Sequence, residues 1–253
     1  MLKSVRQSKI RSFVEEKGQA AVTELIDILD VSEATIRRDL EELSQQGWVR
    51  RTHGGAVRVE KARKEPPIFQ RKTEAIARKQ RVGKLASKFV KAGETIFLGS
   101  GTTVHEVARN LHDIPNLTVI TNALNVVNEL AECENVELIV IGGMFRQSES
   151  SMVGHVAENA IREFRADRAI MGMRAIDLQH GFTNDYLPEA MTDRAILEIA
   201  PQRIIVADSR KLGRVSTVFL APITAAHIIV TDTSAPPEIV EALRENGLEV
   251  NLA

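Results

Sequence analysis

The chain has 253 residues, of which 43% are hydrophobic and 26% are charged, a composition typical of soluble globular proteins. No stretch approaches the roughly 18 consecutive apolar residues of a membrane-spanning helix, so we expect no membrane partner. The single cysteine, Cys133, excludes an internal disulfide and, without an apolar signal sequence, indicates a reduced thiol in a cytoplasmic protein.

The net charge of −1 divides unevenly along the chain. Residues 1–72 carry 15 Lys and Arg against 11 Asp and Glu, and the remainder carries 18 against 23. A basic N-terminal part on an acidic body suggests that only the first part meets a polyanion. Because the basic excess is modest, charge alone does not decide between a nucleic-acid partner and chance.

The first 58 residues are predicted to form three helices followed by a β-hairpin. Cap and turn residues mark the helix ends, in chain order Gly18, Thr23, Asp30, Ser32 and Gly47. Thr23 is the expected N-cap of the second helix and Ser32 that of the third. Two strands, 48–51 and 56–59, flank a glycine turn.

Residues 59–72 are polar, contain Pro66-Pro67 and carry no periodic pattern, so they are predicted to link a domain at 1–58 to a domain at 73–253. After a helix over 73–91, short apolar strands alternate with amphipathic helices. The predicted strands are Thr95–Leu98, Leu117–Thr121, Val136–Ile141, Arg168–Gly172, Arg203–Asp208, His227–Thr231 and Leu248–Asn251. The predicted helices are 103–111, 125–132, 155–164, 189–199 and 237–246. This order predicts an α/β domain with a mostly parallel sheet, following an α+β N-terminal domain.

The segment 22–51 has the order of a helix-turn-helix followed by a hairpin. At 100° per residue, Ile36, Leu40 and Leu43 share one face of the third helix, and Arg38 lies on the opposite face. Such a helix fits the major groove of DNA. The predicted DNA contacts lie on this helix and the hairpin: Ser32, Thr35, Arg37, Arg38, Arg50, Arg51, His53, Gly54 and Gly55. The sequence leaves open which arginines contact bases or phosphates, and a charged helix face alone also fits a solvated surface.

Two motifs within this segment resemble a known family. TIRRDLEEL at 35–43, followed by GWVRRTHGGA at 47–56, resembles the DeoR family of bacterial repressors, and the resemblance extends over essentially the whole chain. It implies a winged helix-turn-helix that binds double-stranded operator DNA. It also implies a C-terminal sensor domain, similar to ribose-5-phosphate isomerase, that binds a small phosphorylated sugar. Because repeated half-sites suit two-fold symmetry, we expect a homo-oligomer, either a dimer or a tetramer.

Polar and glycine residues follow several predicted strands, where ligands gather in open α/β sheets. The turn at 100–103 can bring backbone N–H groups and hydroxyls to an anion, although a plain strand-to-helix turn has the same composition. With the resemblance, these positions predict an effector site at Ser100, Gly101, Thr102, Thr103, Thr121, Asn122, Gly142, Gly143, Arg146, Gly154, Glu189, Asp208 and Lys211. Two departures from the family, Ser100 in place of Asp and Asp193 in place of a basic residue, bear on which ligand fits.

An isomerase-like enzyme with an added DNA-binding domain is the alternative function. GMRAID at 172–177 resembles the isomerase segment that supplies carboxylates, but Arg174 and Ala175 occupy the first two acidic positions. Arginine is no general base at neutral pH, although Asp177 and Glu189 remain. We therefore predict a non-enzymatic repressor of a sugar operon, released by a phosphorylated sugar.

No metal-ligand spacing is present, so no cofactor is expected. An architectural DNA-binding protein without a ligand is a third possibility, against which the polar strand ends argue.

Overall fold

The structure is a computed structural model that describes residues 1–62 and 65–253. Its contacts divide the chain into two units, Met1–Lys61 and Ala62–Ala253. Arg63 and Lys64, which fall in the predicted linker, lie outside the described residues. Within the described ranges, no helix combines the length and the apolar character needed to cross a bilayer.

The first unit consists of three helices and a small antiparallel sheet. The elements are α1 (Lys3–Lys17), β1 (Gln19–Ala21), α2 (Val22–Leu29), α3 (Glu33–Gln45), β2 (Val49–Thr52), β3 (Gly55–Arg58) and the two-residue β4 (Glu60–Lys61). The sheet order is β1-β3-β2. Apolar side chains from the helices and from β2 form the core, among them Ile10, Val14, Leu25, Ile36, Leu40, Leu43 and Val49. The predicted helix-turn-helix with a following hairpin is confirmed.

Backbone geometry explains the helix ends in this unit. Gly18 (φ +80°) and Asp30 (φ +49°) adopt left-handed conformations, and each N–H donates to the carbonyl oxygen four residues earlier at 2.9 Å. The Asp30 conformation makes the tight turn between α2 and α3. Ser32 caps α3 as predicted, because its Oγ accepts the N–H of Thr35 at 3.4 Å.

The start of α2 differs from the prediction. The helix begins at Val22, so Thr23 lies within its first turn and is not its N-cap. Glu24 reaches back instead, and its Oε2 accepts the N–H of Ala21 at 2.9 Å. The preceding strand β1 was not predicted, because three residues are too few for an alternating pattern.

The second unit is built on a seven-stranded parallel sheet. The unit contains further short strands beside those of the sheet. In chain order, all its strands are β5 (Thr95–Leu98), β6 (Leu117–Thr121), β7 (Val136–Val140), β8 (Met144–Arg146), β9 (Ser151–Val153), β10 (Arg168–Gly172), β11 (Ala175–Asp177), β12 (Gly181–Asn184), β13 (Gln202–Val206), β14 (Arg214–Val215), β15 (Val218–Ala221), β16 (Ile228–Thr231) and β17 (Glu249–Leu252). The order in the large sheet is β17-β16-β13-β10-β5-β6-β7, and every pairing is parallel. The predicted fold class is therefore confirmed.

Helices cover both faces of this sheet. They are α4 (Ile68–Arg71), α5 (Ile76–Ser87), α6 (Thr102–Ala108), α7 (Leu124–Leu130), α8 (His155–Arg162), α9 (Leu187–Glu198) and α10 (Pro237–Glu245). Ile96 and Leu98 of β5 pack into one apolar cluster with α5, α6 and α7, whereas Phe97 between them packs into a second cluster with α8, α9 and α10. This alternation is expected of a strand buried on both faces.

Shorter elements at the rim of the sheet were not predicted. β11, β12 and β15 form a three-stranded antiparallel sheet, and β8 pairs with β9 as a hairpin. The predicted linker segment also contains structure, since Ile68–Arg71 form a helical turn. Ile68 is buried, and its N–H donates to the carbonyl oxygen of Ser148 at 2.7 Å. The predicted helix over 73–91 extends only over Ile76–Ser87.

Gly55 and Gly54 offer a direct test of packing in the first unit. A Cβ on Gly55 would lie 2.0 Å from the carbonyl oxygen of Ala20, whereas a Cβ on Gly54 would meet nothing within 4 Å. We expect Gly55→Ala to lower the free energy of unfolding by about 1–3 kcal/mol, because β1 and β3 must separate to admit the methyl group. Gly54→Ala is the matched control, with an expected change within about 0.5 kcal/mol in urea unfolding. Equal stability of the two variants would contradict the close contact.

Candidate DNA interface and sensor cavity

Helix α3 is fixed at its buried side and exposed at the other. Ile36 and Leu40 are fully buried, and Asp39, which is also buried, is bound by Arg6 of α1 through two nitrogen–oxygen contacts, one of them 3.1 Å. The exposed face carries Arg37 and Arg38. The helix therefore presents positive side chains on a face whose orientation is set by the core.

The arginines of this face differ in their partners. Arg37 forms an ion pair with Glu33, with Nη2 2.6 Å from Oε1. Arg51 of β2 donates from Nη1 to the carbonyl oxygen of Arg37 at 3.1 Å, which connects the hairpin to α3. Arg38 has no hydrogen bond or ion pair within residues 1–62 and 65–253. Its guanidinium is therefore the one of these three without a hydrogen bond or ion pair in the described part of the chain, and its charge adds to the Lys3 and Gln7 hydrogen bonds that lower the pKa of the Glu42 carboxyl.

The hairpin places its predicted contacts unequally. His53 and Gly54 are exposed at its turn, and Arg50 is half-buried on β2. Gly55 is buried against β1, so packing accounts for a residue without a side chain at this position, and its predicted DNA contact stays a prediction. An unpredicted feature is the exposed Trp48, with the Arg11 guanidinium 3.3 Å from its ring centroid. The other DNA-contact assignments stay predictions.

The sensor cavity lies where the strand order of the parallel sheet reverses. From β5 the chain continues through β6 to β7 on one side, and from β10 it continues through β13 to β17 on the other. Loops that leave two adjacent strands in opposite directions open a crevice at their carboxyl ends. Gly172 permits the closest approach there, since a Cβ on it would lie 3.1 Å from the carbonyl oxygen of Ser100.

The cavity has a volume of about 540 Å³, within the usual size range of small-molecule sites. Its lining consists of residues that follow β5, β10 and β13, together with charged side chains from the segment 65–79 and from the rim. Of the predicted effector residues, it contains Ser100, Gly101, Thr102, Thr103, Glu189, Asp208 and Lys211. The structure therefore brings seven predicted positions into one enclosed space.

The turn after β5 presents hydroxyl groups to the cavity. Gly101 has φ +118°, a conformation that favours glycine, and precedes α6. Thr102 and Thr103 are mostly buried, and their hydroxyls make no hydrogen bond within the described part of the chain. These hydroxyls are available to a ligand oxygen in the cavity.

A carboxylate pair lies on the opposite side of the lining. Glu189 accepts hydrogen bonds from Arg146 and from Nδ2 of Asn184, the latter at 3.0 Å. Its neighbour Asp193 is enclosed, and burial raises the pKa of Asp193 well above its usual range, with the Glu189 charge adding to the effect. Asp193 is therefore protonated more readily than an ordinary aspartate, and its protonated form can donate a hydrogen bond.

Four cations approach the cavity from separate elements. Arg71 ends α4, Lys79 lies in α5, Arg174 follows β10, and Lys211 ends a 3-10 turn after β13. Lys79 donates to the carbonyl oxygen of Arg71 at 2.7 Å, and burial lowers its pKa. Burial also lowers the pKa of Lys211 to about 8. The cavity therefore combines hydroxyl donors with cationic side chains, which can bind an anion once they exchange the carboxylates that also line it.

Asp208, at the start of the same 3-10 turn, is paired within the molecule. Its carboxylate accepts from Nε and Nη2 of Arg210 at 2.9 and 3.0 Å. This pairing offsets its charge, so Asp208 adds no unbalanced negative charge to the lining. Its predicted contact with a ligand stays a prediction.

Six predicted effector residues do not line the cavity: Thr121, Asn122, Gly142, Gly143, Arg146 and Gly154. Thr121 and Asn122 follow β6, and the glycine pair follows β7, both on the far side of β5 from β10. Thr121 is fully buried and donates to the carbonyl oxygen of Leu98 at 2.7 Å, and Asn122 donates to that of Met152 at 2.8 Å. The Thr121 hydroxyl and the Asn122 amide nitrogen thus serve the fold, whereas Oδ1 of Asn122 has no hydrogen-bond partner within the described residues.

Three of the other four positions also have structural roles, whereas a Cβ on Gly142 would meet nothing within 4 Å. A Cβ on Gly143, where φ is +154°, would lie 2.9 Å from Cβ of Ala157. Gly154 has φ +89°, and its N–H donates to Oγ1 of Thr192 at 3.0 Å. Arg146 forms an ion pair with the cavity residue Glu189, so it holds the Glu189 carboxylate in place without lining the cavity itself.

Sequence reasoning missed most of the charged side chains on one side of the cavity, here called the cationic wall: Arg71, Lys79 and Arg174, which line it together with Glu65 and the predicted Lys211. Glu65 and Arg71 fall in the segment that was predicted as a linker, and Lys79 lies within a predicted helix without a motif. The one available signal was the density of charge in residues 60–81, which a solvated surface shares. Within the described ranges, no group of histidine, cysteine and acidic residues is arranged to hold a metal ion.

Comparison with known proteins decides the family. Residues 6–62 match the DeoR-like helix-turn-helix domain, and residues 74–233 match the DeoR C terminal sensor domain. The chain belongs to the DeoR family. Full-length relatives include the putative aga operon transcriptional repressor of Escherichia coli O157:H7 (33% identity, 98% of this chain and 93% of the relative) and the glycerol-3-phosphate regulon repressor of Escherichia coli K12 (31% identity, 100% of both). The DeoR-family chain is thus a DNA-binding regulator and not an enzyme.

Solved structures give a weaker comparison for this DeoR-family protein. Ribose 5-phosphate isomerase A from Methanocaldococcus jannaschii aligns with a TM-score of 0.39 at 18% identity, over 53% of each chain. An eIF2B beta structure from Chaetomium thermophilum aligns with a TM-score of 0.44 at 13% identity, over 90% of this chain and 77% of that one. These similarities carry no functional conclusion.

The exposed Arg38 provides a test of the DNA interface. Because its guanidinium makes no hydrogen bond or ion pair within the described residues, we expect Arg38→Ala to weaken operator binding by about 1–3 kcal/mol and to leave thermal stability unchanged. The operator is first selected from random duplex DNA with the parent protein, and affinity is then measured at fixed salt. Lys17→Ala, which removes one positive charge outside 22–45, is the control. Parent-like affinity of Arg38→Ala would exclude this residue from the interface.

The lowered pKa of Lys211 predicts pH-dependent anion binding. Its ammonium binds an anion only when protonated, so affinity is complete below about pH 7 and falls as pH rises through about 8. Sulfate is a suitable probe because its charge is constant in this range, and we expect about ten-fold weaker binding at pH 9 than at pH 7. Lys211→Arg keeps its charge, so we expect a smaller pH dependence than in the parent, with the lowered pKa of Lys79 accounting for the remainder. A parent protein with no pH dependence would argue against Lys211 as an anion contact.

Proposed function

We propose that this DeoR-family regulator represses a sugar or sugar-derivative catabolic operon and is released from its operator by a phosphorylated sugar. The observation that supports the effector class is the cavity at the strand-order reversal. It places free hydroxyls of Thr102 and Thr103 in the same enclosed space as Arg71, Arg174 and Lys211. Hydroxyls and cations together suit a phosphate group, which brings about −1.5 to −2 charges and three acceptor oxygens.

The other side of the same cavity suits the sugar portion. The amide of Asn184 and the carboxyl groups of Glu189 and Asp193 offer both donors and acceptors, which hydroxyl groups of a sugar require. An effector that spans the cavity would place its phosphate beside the cations and its hydroxyls beside the carboxyl groups. The names of two relatives, one for an aga operon and one for a glycerol-3-phosphate regulon, agree with control of carbohydrate-related operons.

The proposed mechanism is a shift between two populations of a homo-oligomer. In one population, the paired helix-turn-helix units match the spacing of repeated half-sites on DNA. In the other, their arrangement no longer fits that spacing. A ligand changes this balance only if its affinity differs between the two forms, so the sugar phosphate must bind more tightly to the form that does not bind the operator.

Release by an effector is tested on the intact protein bound to its selected operator. A panel of sugar phosphates is titrated at constant ionic strength, and dissociation is followed by fluorescence anisotropy. We expect one sugar phosphate to release the DNA, while the corresponding unphosphorylated sugar does not. Thr102→Ala should keep its operator affinity. It should need at least about ten-fold more effector for half-maximal release, because a hydrogen bond to a charged group contributes about 1.5–3 kcal/mol.

Thr118→Ala is the matched control for this experiment. Thr118 lies on β6, outside the cavity lining. Its hydroxyl donates to Oε2 of Glu137 at 3.4 Å. Its release curve should match that of the parent. Normal release by Thr102→Ala would remove the turn after β5 from the effector site, and release by no phosphorylated sugar in the panel would contradict the proposed effector class.

A further inference from the structure

The carboxylate of Glu65 occupies the centre of the cationic wall. It forms ion pairs with Arg71, with Lys211 and with Nη1 of Arg174, the last at 3.0 Å. The side chain of Glu65 is 17% exposed, and those of the three cations are between 9% and 18% exposed. One acidic side chain thus contacts three largely buried cations from three different elements.

The three cations depend on Glu65 to different degrees. Arg71 also pairs with Glu149, and Arg174 also pairs with Asp185. Lys211 has no second carboxylate at ion-pair distance within residues 1–62 and 65–253. Removing the Glu65 carboxylate would therefore leave Lys211 without a neutralising partner in an enclosed position, which is costly.

A phosphate group would satisfy the same cations more fully than a carboxylate does. It brings more negative charge and three acceptor oxygens, and arginine binds it in a bidentate manner. Exchange of one anion for another also avoids an intermediate in which buried cations stand uncompensated. The chemistry of the cluster therefore favours replacement of Glu65 by an incoming anion over addition of a second anion beside it.

We propose that Arg71, Arg174 and Lys211 form an anion subsite, that Glu65 occupies it as a built-in competitor, and that the phosphate of the effector displaces Glu65. This inference rests on the proposed function for the identity of the ligand. The competitor lowers the apparent affinity of the subsite by the fraction of time for which Glu65 occupies it.

The position of Glu65 in the chain gives the displacement a consequence. Glu65 lies four residues after Lys61, the last residue of the first unit. Its neighbour Pro66 is held too, since its carbonyl oxygen accepts Nε of Arg71 at 2.9 Å. Ala62 donates to the carbonyl oxygen of Val215 at 2.7 Å. Displacement of Glu65 therefore releases constraints on Ala62 and Pro66, at the start of the sensor unit.

Calorimetric titration of the full-length protein with inorganic phosphate at pH 7 and constant ionic strength tests the competition. Glu65→Gln removes the competing charge, and we expect it to bind phosphate about ten-fold more tightly than the parent. Glu198→Gln is the matched control, because Glu198 pairs with Arg162 in the same unit and does not line the cavity. Its affinity should stay within about two-fold of the parent.

A further variant localises the gain. In the double variant Glu65→Gln, Lys211→Met, the increase in phosphate affinity should disappear. The proposal is overturned if Glu65→Gln binds phosphate no more tightly than the parent, if Glu198→Gln gains as much, or if the gain persists without Lys211. Absence of detectable phosphate binding in both the parent and Glu65→Gln overturns it as well.

Amide hydrogen exchange in the unmodified protein provides a measurement that does not depend on the folding of a variant. Phosphate should accelerate exchange of the Ala62 amide several-fold, with the buried Ile170 amide as the internal reference. Unchanged or slower exchange at Ala62 would contradict displacement. Because no DNA is present in either experiment, a negative result here leaves the repressor function standing. If phosphate displaces Glu65 but no sugar phosphate releases the operator, the proposed effector mechanism is rejected and the displacement of Glu65 still holds.

Discussion

The reversal of strand order between β5 and β10 is the constraint on which the sensor unit depends. Parallel strands direct all their carboxyl ends to one edge, and the reversal separates the loops that follow these two strands. The space between them collects side chains from α4, α5, β13 and the rim as well. Charged groups enclosed in this way must neutralise one another, which explains why nearly every cation of the cavity contacts a carboxylate.

Strand order also decides how much of the site was predictable from the sequence. Ser100, Thr102 and Lys211 were predicted because they directly follow strands whose apolar composition marks them clearly. Thr121 and Gly142 follow equally clear strands, yet they lie away from the cavity because β6 and β7 continue on the other side of β5. The sequence shows where a strand ends but not which strand lies beside it. Residues that follow similar strands were therefore predicted alike, although only some of them line the cavity.

Long-range contacts account for the rest of what the sequence did not reveal. Glu65, Arg71 and Lys79 reach the cavity from a segment that precedes every strand of the large sheet. Their polarity is typical of a linker, and only the folded chain brings them beside Arg174 and Lys211. The short strands of the rim were missed for a related reason, since two to four residues carry too little pattern to be recognised.

The first unit was predicted more completely because its determinants are local. The left-handed turn at Asp30 and the Ser32 cap each act within four residues, and the buried face of α3 follows from helical periodicity. One expectation was wrong and one residue has a further role, in both cases because other parts of the unit intervene. Glu24 satisfies the N–H group for which Thr23 was expected to account, and the packing of β1 explains the small residue at Gly55.

The hydrogen bond from Arg51 to the backbone of Arg37 has a consequence for the evolution of DNA specificity in this protein. It joins the hairpin to the helix through a main-chain oxygen, so it persists whatever side chain stands at position 37. The exposed face of α3 is thus free to change while its support stays the same. A recognition helix exchanged between relatives keeps that support only if the arginine of β2 accompanies it, which makes helix and hairpin one inheritable module.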